Sequence, residues 1–361
     1  MAHLSGLLLV DCPASALNNA GADTGARAEN AVVVKQIQTK AGTFPYVSAQ
    51  AFRFWWRQSL TGIPGWTPSP IFREAKIAYT DANPIEYAED DIFGYMRAPS
   101  KKAGAVAARQ EAGTLKAATP LEEDVTLTRS SVLKTSTLIS IAASDPVSDF
   151  GVMARHEGDP VPHEHEFYRT TLVGLFSIDL RMLGRFYHVD RTGYRHLDSV
   201  RMKLAEEKGL KPYDNGKAFE LSLEERKARL QQLLQGLAQI TGGAKLAIHY
   251  TDVTPRMLMM AVAKGGNHLF GTAVGADNKG LPKIHTEALK QAAEVYKATL
   301  LSDFHIGLAQ GYLDEQRNTL AEALKSIQKL GEDSIVEIPH PVQAIHNLLD
   351  ELDHKASEWL Q

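Results

Sequence analysis

A capped amphipathic segment near the start of the chain constrains what the rest can fold into. It runs Phe44-Pro45-Tyr46-Val47-Ser48-Ala49-Gln50-Ala51-Phe52-Arg53-Phe54-Trp55-Trp56-Arg57-Gln58-Ser59-Leu60. The Ser48 hydroxyl oxygen can accept one of the amide hydrogens that lack an intrahelical partner in a first turn. The spacing therefore predicts a helix starting at Ser48. Phe52, Trp55 and Trp56 share one face at i, i+3, i+4, whereas Gln50, Arg53 and Arg57 fall at i, i+3, i+7 on another. One face is core and the other cationic, and the ordinary reading of the second is a pair of solvated arginines.

Upstream, Leu7-Leu8-Leu9-Val10 is too short for a membrane span, has no basic flank and runs into Asp11, so it reads as a strand. No membrane association is expected. The chain has 361 residues, 44% of them hydrophobic, enough to bury the core of one large or two modest domains of a soluble protein. A single cysteine, Cys12, excludes an internal disulfide and fits a reducing, cytoplasmic setting, where it packs as a small apolar residue.

The net charge of −4 argues against a protein that simply coats nucleic acid. Its distribution says more. Five Lys/Arg stand against one acid between Arg27 and Arg57, and five against Glu111 alone between Arg97 and Lys116, while from Asp314 onward ten acids face four bases. Such separation lets one surface hold a polyanion and another meet a neighbouring copy.

After the first helix, Gly62 to Pro70 breaks regular structure, and the pattern resumes from Phe72 to Tyr79. Ser100 to Arg109 is small, polar and basic, a surface loop or a flap that touches phosphates. Ser131–Ile141 and Thr170–Leu180 read as strands, and the turn-forming stretch Ser144–His163 between them as a long projecting hairpin. Leu221 to Ile240 predicts a helix with Leu221, Leu230, Leu233, Leu234 and Leu237 inward and Glu224, Glu225, Arg226, Lys227 and Arg229 exposed. Gly242-Gly243 stops it, and Lys245–Tyr250 reads as a strand. Met257–Ala263 fits either a short helix or a strand. Helices are expected over His285–Tyr296, Leu313–Leu330 and Pro341–Leu360. No internal repeat stands out, and periodicity by itself supports an α+β class.

This order of elements, together with Asp91-Ile92-Phe93-Gly94-Tyr95-Met96, Arg129-Ser130-Ser131, His165-Glu166-Phe167-Tyr168 and Thr241-Gly242-Gly243-Ala244-Lys245, resembles the CRISPR-associated backbone subunits. These are the seventh Cas family of the repeat-associated RNA-binding superfamily, and the likeness is to the DevR/Cst branch of type I-B Cascade. The resemblance implies a ferredoxin-like (RRM-like) palm with an inserted fingers region and a thumb β-hairpin. It divides the chain into palm (1–63), fingers (64–128), palm strand (129–143), thumb (144–169), second palm part (170–275) and a helical part packed on the palm (276–361).

The same resemblance implies a non-enzymatic subunit without a cofactor. Its partners would be the CRISPR RNA, the target DNA strand paired to the guide, further copies of itself and other Cascade subunits. No metal-ligand cysteine pair, nucleotide-binding glycine loop or nucleophile elbow is present, and His163, His165 and Glu166 lack the spacing of a zinc helix. The alternative is a metal-dependent RNA endonuclease of the same superfamily, using Asp11, Asp23, Asp145 or Asp149.

RNA binding calls for cations and amides on phosphates, apolar wedges against bases, and backbone at close approach. Lys35, Gln36, Arg53 and Arg57 are placed to track the RNA backbone, with Asn18, Asn19, Ser48 and Gln50 adding neutral hydrogen bonds. Lys134 and Thr135 reach phosphates from the next strand. Gly242, Gly243 and Lys245 make a tight turn ending in a cation, whose plain alternative is a helix stop. Phe150, Val152 and Met153, with Arg155 beyond them, provide the wedge on the hairpin, against an alternative of packing on a neighbouring element.

Overall fold

Ala2–Ser15 is a strand buried on both faces, which is why its sequence runs apolar without alternation. Leu4, Leu8, Val10 and Cys12 enter one core, while Leu7 and Leu9 enter another on the opposite face. Met257–Lys264 obeys the same rule, sending Leu258, Met260 and Val262 one way and Met257, Met259 and Ala261 the other. It is therefore the strand, of the two alternatives the sequence allows. The computed structural model describes residues 2–22, 31–74, 77–98, 125–155, 157–331 and 333–361. The basic segment Ser100–Arg109 and Asp23 lie outside them.

Ala2–Ser15 pairs antiparallel with Val161–Asp179 on one side, Leu7 opposite Leu175, and with Met257–Lys264 on the other, Leu8 opposite Leu258. His305–Leu308 extends the sheet beyond Met257–Lys264. On the far side, Leu133–Thr135 and Leu138–Ser140 pair with Val161–Asp179, followed by Gly42–Val47 and Gln36–Thr39. The continuous strand expected over Ser131–Ile141 is thus two short ones. At the break, the Ser136 hydroxyl accepts from the Leu175 amide at 2.8 Å, replacing a ladder bond with a side chain. Among the described residues eleven strands form this sheet, antiparallel except where Ala31–Val34 lies parallel to Val161–Asp179.

One face carries the helices Ala49–Leu60, Leu223–Ala238 and Pro341–Trp359, whose Trp56, Leu233 and Leu348 share a core. The other carries Thr286–Tyr296 and Asp314–Ile327, with Leu289, Leu320 and Leu324 against Leu7 and Leu9. The result is a mixed α/β protein in three layers. Trp56 is the pivot of the first core. Its indole N–H donates to the Leu233 carbonyl at 2.8 Å, and its ring meets Phe176 edge-on at 5.4 Å. Phe176 lies across Gly6, where any Cβ would run into its ring, so glycine at that position is what lets the aromatic ring cover the strand.

Ser48 caps its helix as expected, accepting from the Ala51 amide at 3.3 Å. Ser48→Ala should lower stability by about 1 kcal/mol, read as a shift in the urea midpoint with unchanged slope.

Two expectations fail for a common reason. Arg226 and Arg229 are buried, not solvated. Arg226 donates to the Leu183 and Leu180 carbonyls, and burial with Arg185 nearby pushes it down to about 10. Arg229 donates to Asp91 at 2.7 Å and to the Pro84 and Ile85 carbonyls. Their acceptors come from other elements, so helical spacing alone assigns these arginines to the wrong face. Lys245–Tyr250 is a turn rather than a strand, because Lys245 adopts φ +52° and its carbonyl accepts from the Ile248 and His249 amides. Among the described residues no helix is long and apolar enough to cross a membrane.

Candidate nucleic-acid interface

Val147–Met153 pairs with Val161–Phe167 as a hairpin, Phe150 opposite Glu164 and Met153 opposite Val161. Strand residues alternate faces, yet both Val152 and Met153 are exposed, at 52% and 55%, as is Phe150 at 63%. Both faces of the hairpin therefore meet solvent, and exposed Arg155 follows. A bare two-stranded hairpin is marginal in water, so its root must be held. The Glu166 carboxylate accepts from the Val34 amide at 2.9 Å, His165 Nε2 lies 2.7 Å from His249 Nε2, and the Phe167 ring stacks on His249 at 4.9 Å.

Beside that root several residues singled out by the sequence converge on Leu17-Asn18. The Asn18 side-chain oxygen accepts from the Ser48 amide at 2.9 Å, its carbonyl accepts from the Lys35 amide at 2.8 Å, and the Leu17 carbonyl accepts from the Ala244 amide at 3.0 Å. Asn18, Lys35, Ser48 and the Gly242–Lys245 turn thus occupy one neighbourhood. A Cβ on Gly242 would strike the Trp55 indole, and Gly243, at φ +121°, would bring one within 2.6 Å of Leu17. The glycine pair is explained by close approach to the protein's own core. Gln50 is exposed on the adjoining helix. Asn19 Oδ1 and Gln36 Oε1 are buried without a hydrogen-bond partner, as is Thr135 Oγ1. Thr135 lies opposite Phe176, and its neighbour Lys134 is exposed opposite Ser177.

The arginines of the first helix are only half-exposed, which corrects the expected solvated face. Arg53 donates to the Leu133 carbonyl at 2.6 Å, the Phe93 carbonyl at 2.9 Å and the Ser131 hydroxyl at 3.0 Å. Burial and the charge of Arg57 push it down to about 10. Both guanidinium groups lie against the Phe93 ring, at 5.0 and 5.2 Å, and Arg57 stands 3.6 Å from Glu89. These two cations fasten the helix to the Asp91–Phe93 and Ser131–Leu133 segments.

Sequence reasoning passed over His163, His165 and Phe167 as a group. They follow at i, i+2, i+4 on one strand and so share a face, which their alternation could have revealed. It also passed over the turn residues Ile248 and Tyr250, exposed at 61% and 77%. Among the described residues no three His, Cys, Asp or Glu are gathered so as to hold a metal ion.

A family model, that of the CRISPR-associated negative auto-regulator DevR/Csa2, matches residues 12–270. The chain belongs to this CRISPR-associated family. No curated protein matches it in sequence. Among solved structures it is similar to a chain of a CRISPR RNA-guided surveillance complex, at 11% identity and a TM-score of 0.49. It is also similar to a chain of such a complex described as pre-nicking, at 14% identity and 0.48. Each alignment covers 97% of this chain and 99% of the other.

Proposed function

We propose that this chain is the RNA-binding backbone subunit of a type I-B Cascade surveillance complex. Copies stack head to tail along the spacer part of a CRISPR RNA, a heterologous contact that produces an open helical filament. The protein holds backbone and shape, while base pairing between guide and target DNA reads sequence. The observation that carries this reading is the hairpin whose Phe150, Val152 and Met153 project unpacked into solvent, in a member of a CRISPR-associated family. An apolar wedge on a two-stranded arm is suited to entering a base stack.

Strand order supports a ferredoxin-like palm. Met257–Lys264, Ala2–Ser15, Val161–Asp179 and the two short strands Leu133–Thr135 and Leu138–Ser140 lie side by side and antiparallel, with Ala49–Leu60 and Leu223–Ala238 as the two crossover helices. In this reading the subunit is a scaffold and not an enzyme, and it works in the cytoplasm beside other Cascade subunits.

The chain should be expressed with and without a CRISPR array and the nuclease-protected RNA sized. Protected fragments lengthening in regular increments on a multimer are the expected result. A nucleic-acid-free monomer from both cultures would refute the filament. Lys134→Ala should weaken binding alike for unrelated spacers and reduce the salt slope by about 1, measured by anisotropy over a salt series.

A further inference from the structure

The contact between His165 and His249 joins the hairpin to the turn that follows the Leu223–Ala238 helix. His165 is 5% exposed, and its Nε2 lies 2.7 Å from His249 Nε2. Two imidazole nitrogens at that distance need one N–H and one lone pair between them. If both rings are protonated, each nitrogen carries a proton and two positive charges face each other.

The surroundings set where that happens. From the turn, Lys245 and His249 face His165. From its own strand His163 stacks at 6.3 Å, and from the paired strand Asp149 stands with Oδ2 3.6 Å away. Glu164 and Glu166 alternate to the other face, where Glu166 caps the Val34 amide, and Ala31–Val34 contains no titratable side chain. Burial, then Lys245 and His249, hold His165 below the ordinary histidine value, with Asp149 opposing them.

We propose that His165 and His249 form a proton-operated clasp, which holds the hairpin root on the palm while at most one ring is charged and lets go when both are. The released hairpin takes up a proton more readily than the clasped one. The clasp is therefore at full strength above about pH 6.5, the ordinary histidine range, and weakens as pH falls below it. Its consequence for guide RNA rests on the function proposed above, but the clasp itself does not, so it is tested on the free chain.

The test is amide hydrogen exchange across residues 161–167, corrected for intrinsic rates, at about pH 7.5 and about pH 5. Protection in the wild type should drop about tenfold at the lower pH. His249→Phe keeps a ring to stack on Phe167 but has no proton to exchange, so protection should be low at both values. Asp149→Asn removes a carboxylate that is 58% exposed and outside the core; without it the clasped ring is harder to charge, so protection at the lower pH should fall further than in the wild type. Wild-type protection that ignores pH, or a His249→Phe chain that keeps the wild-type response, would overturn the clasp.

Discussion

Asp91→Asn should cost this protein about 3–5 kcal/mol, the loss seen when one member of a buried ion network is removed and the others stay charged. Asp91 has no exposed surface. One carboxylate oxygen accepts from Arg129, and the other from Arg229 at 2.7 Å and from the Gly184 amide at 3.0 Å. Arg129 in turn donates to the Asp91, Arg185 and Met182 carbonyls and to His196 Nδ1. The Tyr187 amide also donates to His196 Nδ1, so that nitrogen is the bare one and Nε2 carries the proton toward the Gly193 carbonyl. Burial, then the charge of Arg129, keeps this imidazole neutral far below the usual histidine range. With asparagine at 91, two buried guanidinium groups lose their counter-charge and the neutral histidine cannot replace it. Urea unfolding should show a large drop in midpoint at unchanged slope. Asp190→Ala, which removes the partner of Arg195 at a carboxylate 90% exposed, should leave the midpoint where it was. Equal small shifts for both variants would mean that the cluster is not what joins these segments.

That network also marks the limit of what could be read from the chain alone. Local signals were legible. Ser48 announced its helix, the apolar run at Leu7–Val10 announced a strand, and the turn-rich stretch after Ser144 announced a hairpin, whereas Met257–Ala263 left helix and strand both open. What failed was the assignment of arginines. Arg53, Arg57, Arg226 and Arg229 look like solvated cations at helical spacing, but Arg57 meets Glu89, 32 residues along the chain, and Arg229 meets Asp91, 138 residues away. No periodicity encodes a carbonyl delivered by another element. The same holds for Lys245, whose left-handed backbone bends a strand-like sequence into a turn because the preceding Gly242-Gly243 must press against Trp55 and Leu17. The site was legible in its neighbourhood, with Asn18, Lys35, Ser48 and Gly242–Lys245 drawn together, but not in its division of labour. Arg53 and Arg57 brace the helix, whereas Lys134, Gln50 and the hairpin tip face solvent.

That division separates two classes of variant. Replacing both Phe150 and Met153 by alanine should leave thermal stability unchanged, since both side chains are more than half exposed and neither belongs to a core cluster. Guide RNA binding should nevertheless fall. An aromatic side chain stacked on a base contributes about 1–3 kcal/mol, so losing Phe150 alone should weaken binding about 5- to 150-fold. The salt slope should stay fixed, because no phosphate contact has been removed. Lys134→Ala should do the reverse, with a smaller loss of affinity and a shallower slope. The two effects come from different groups on different strands, so they should add in the triple variant. Anisotropy titrations over a salt series, with nuclease footprints of the assembled RNA, distinguish the outcomes. If the Phe150 and Met153 variant binds with wild-type affinity and leaves the footprint intact, the hairpin does not enter the base stack, and its apolar face serves a protein neighbour instead.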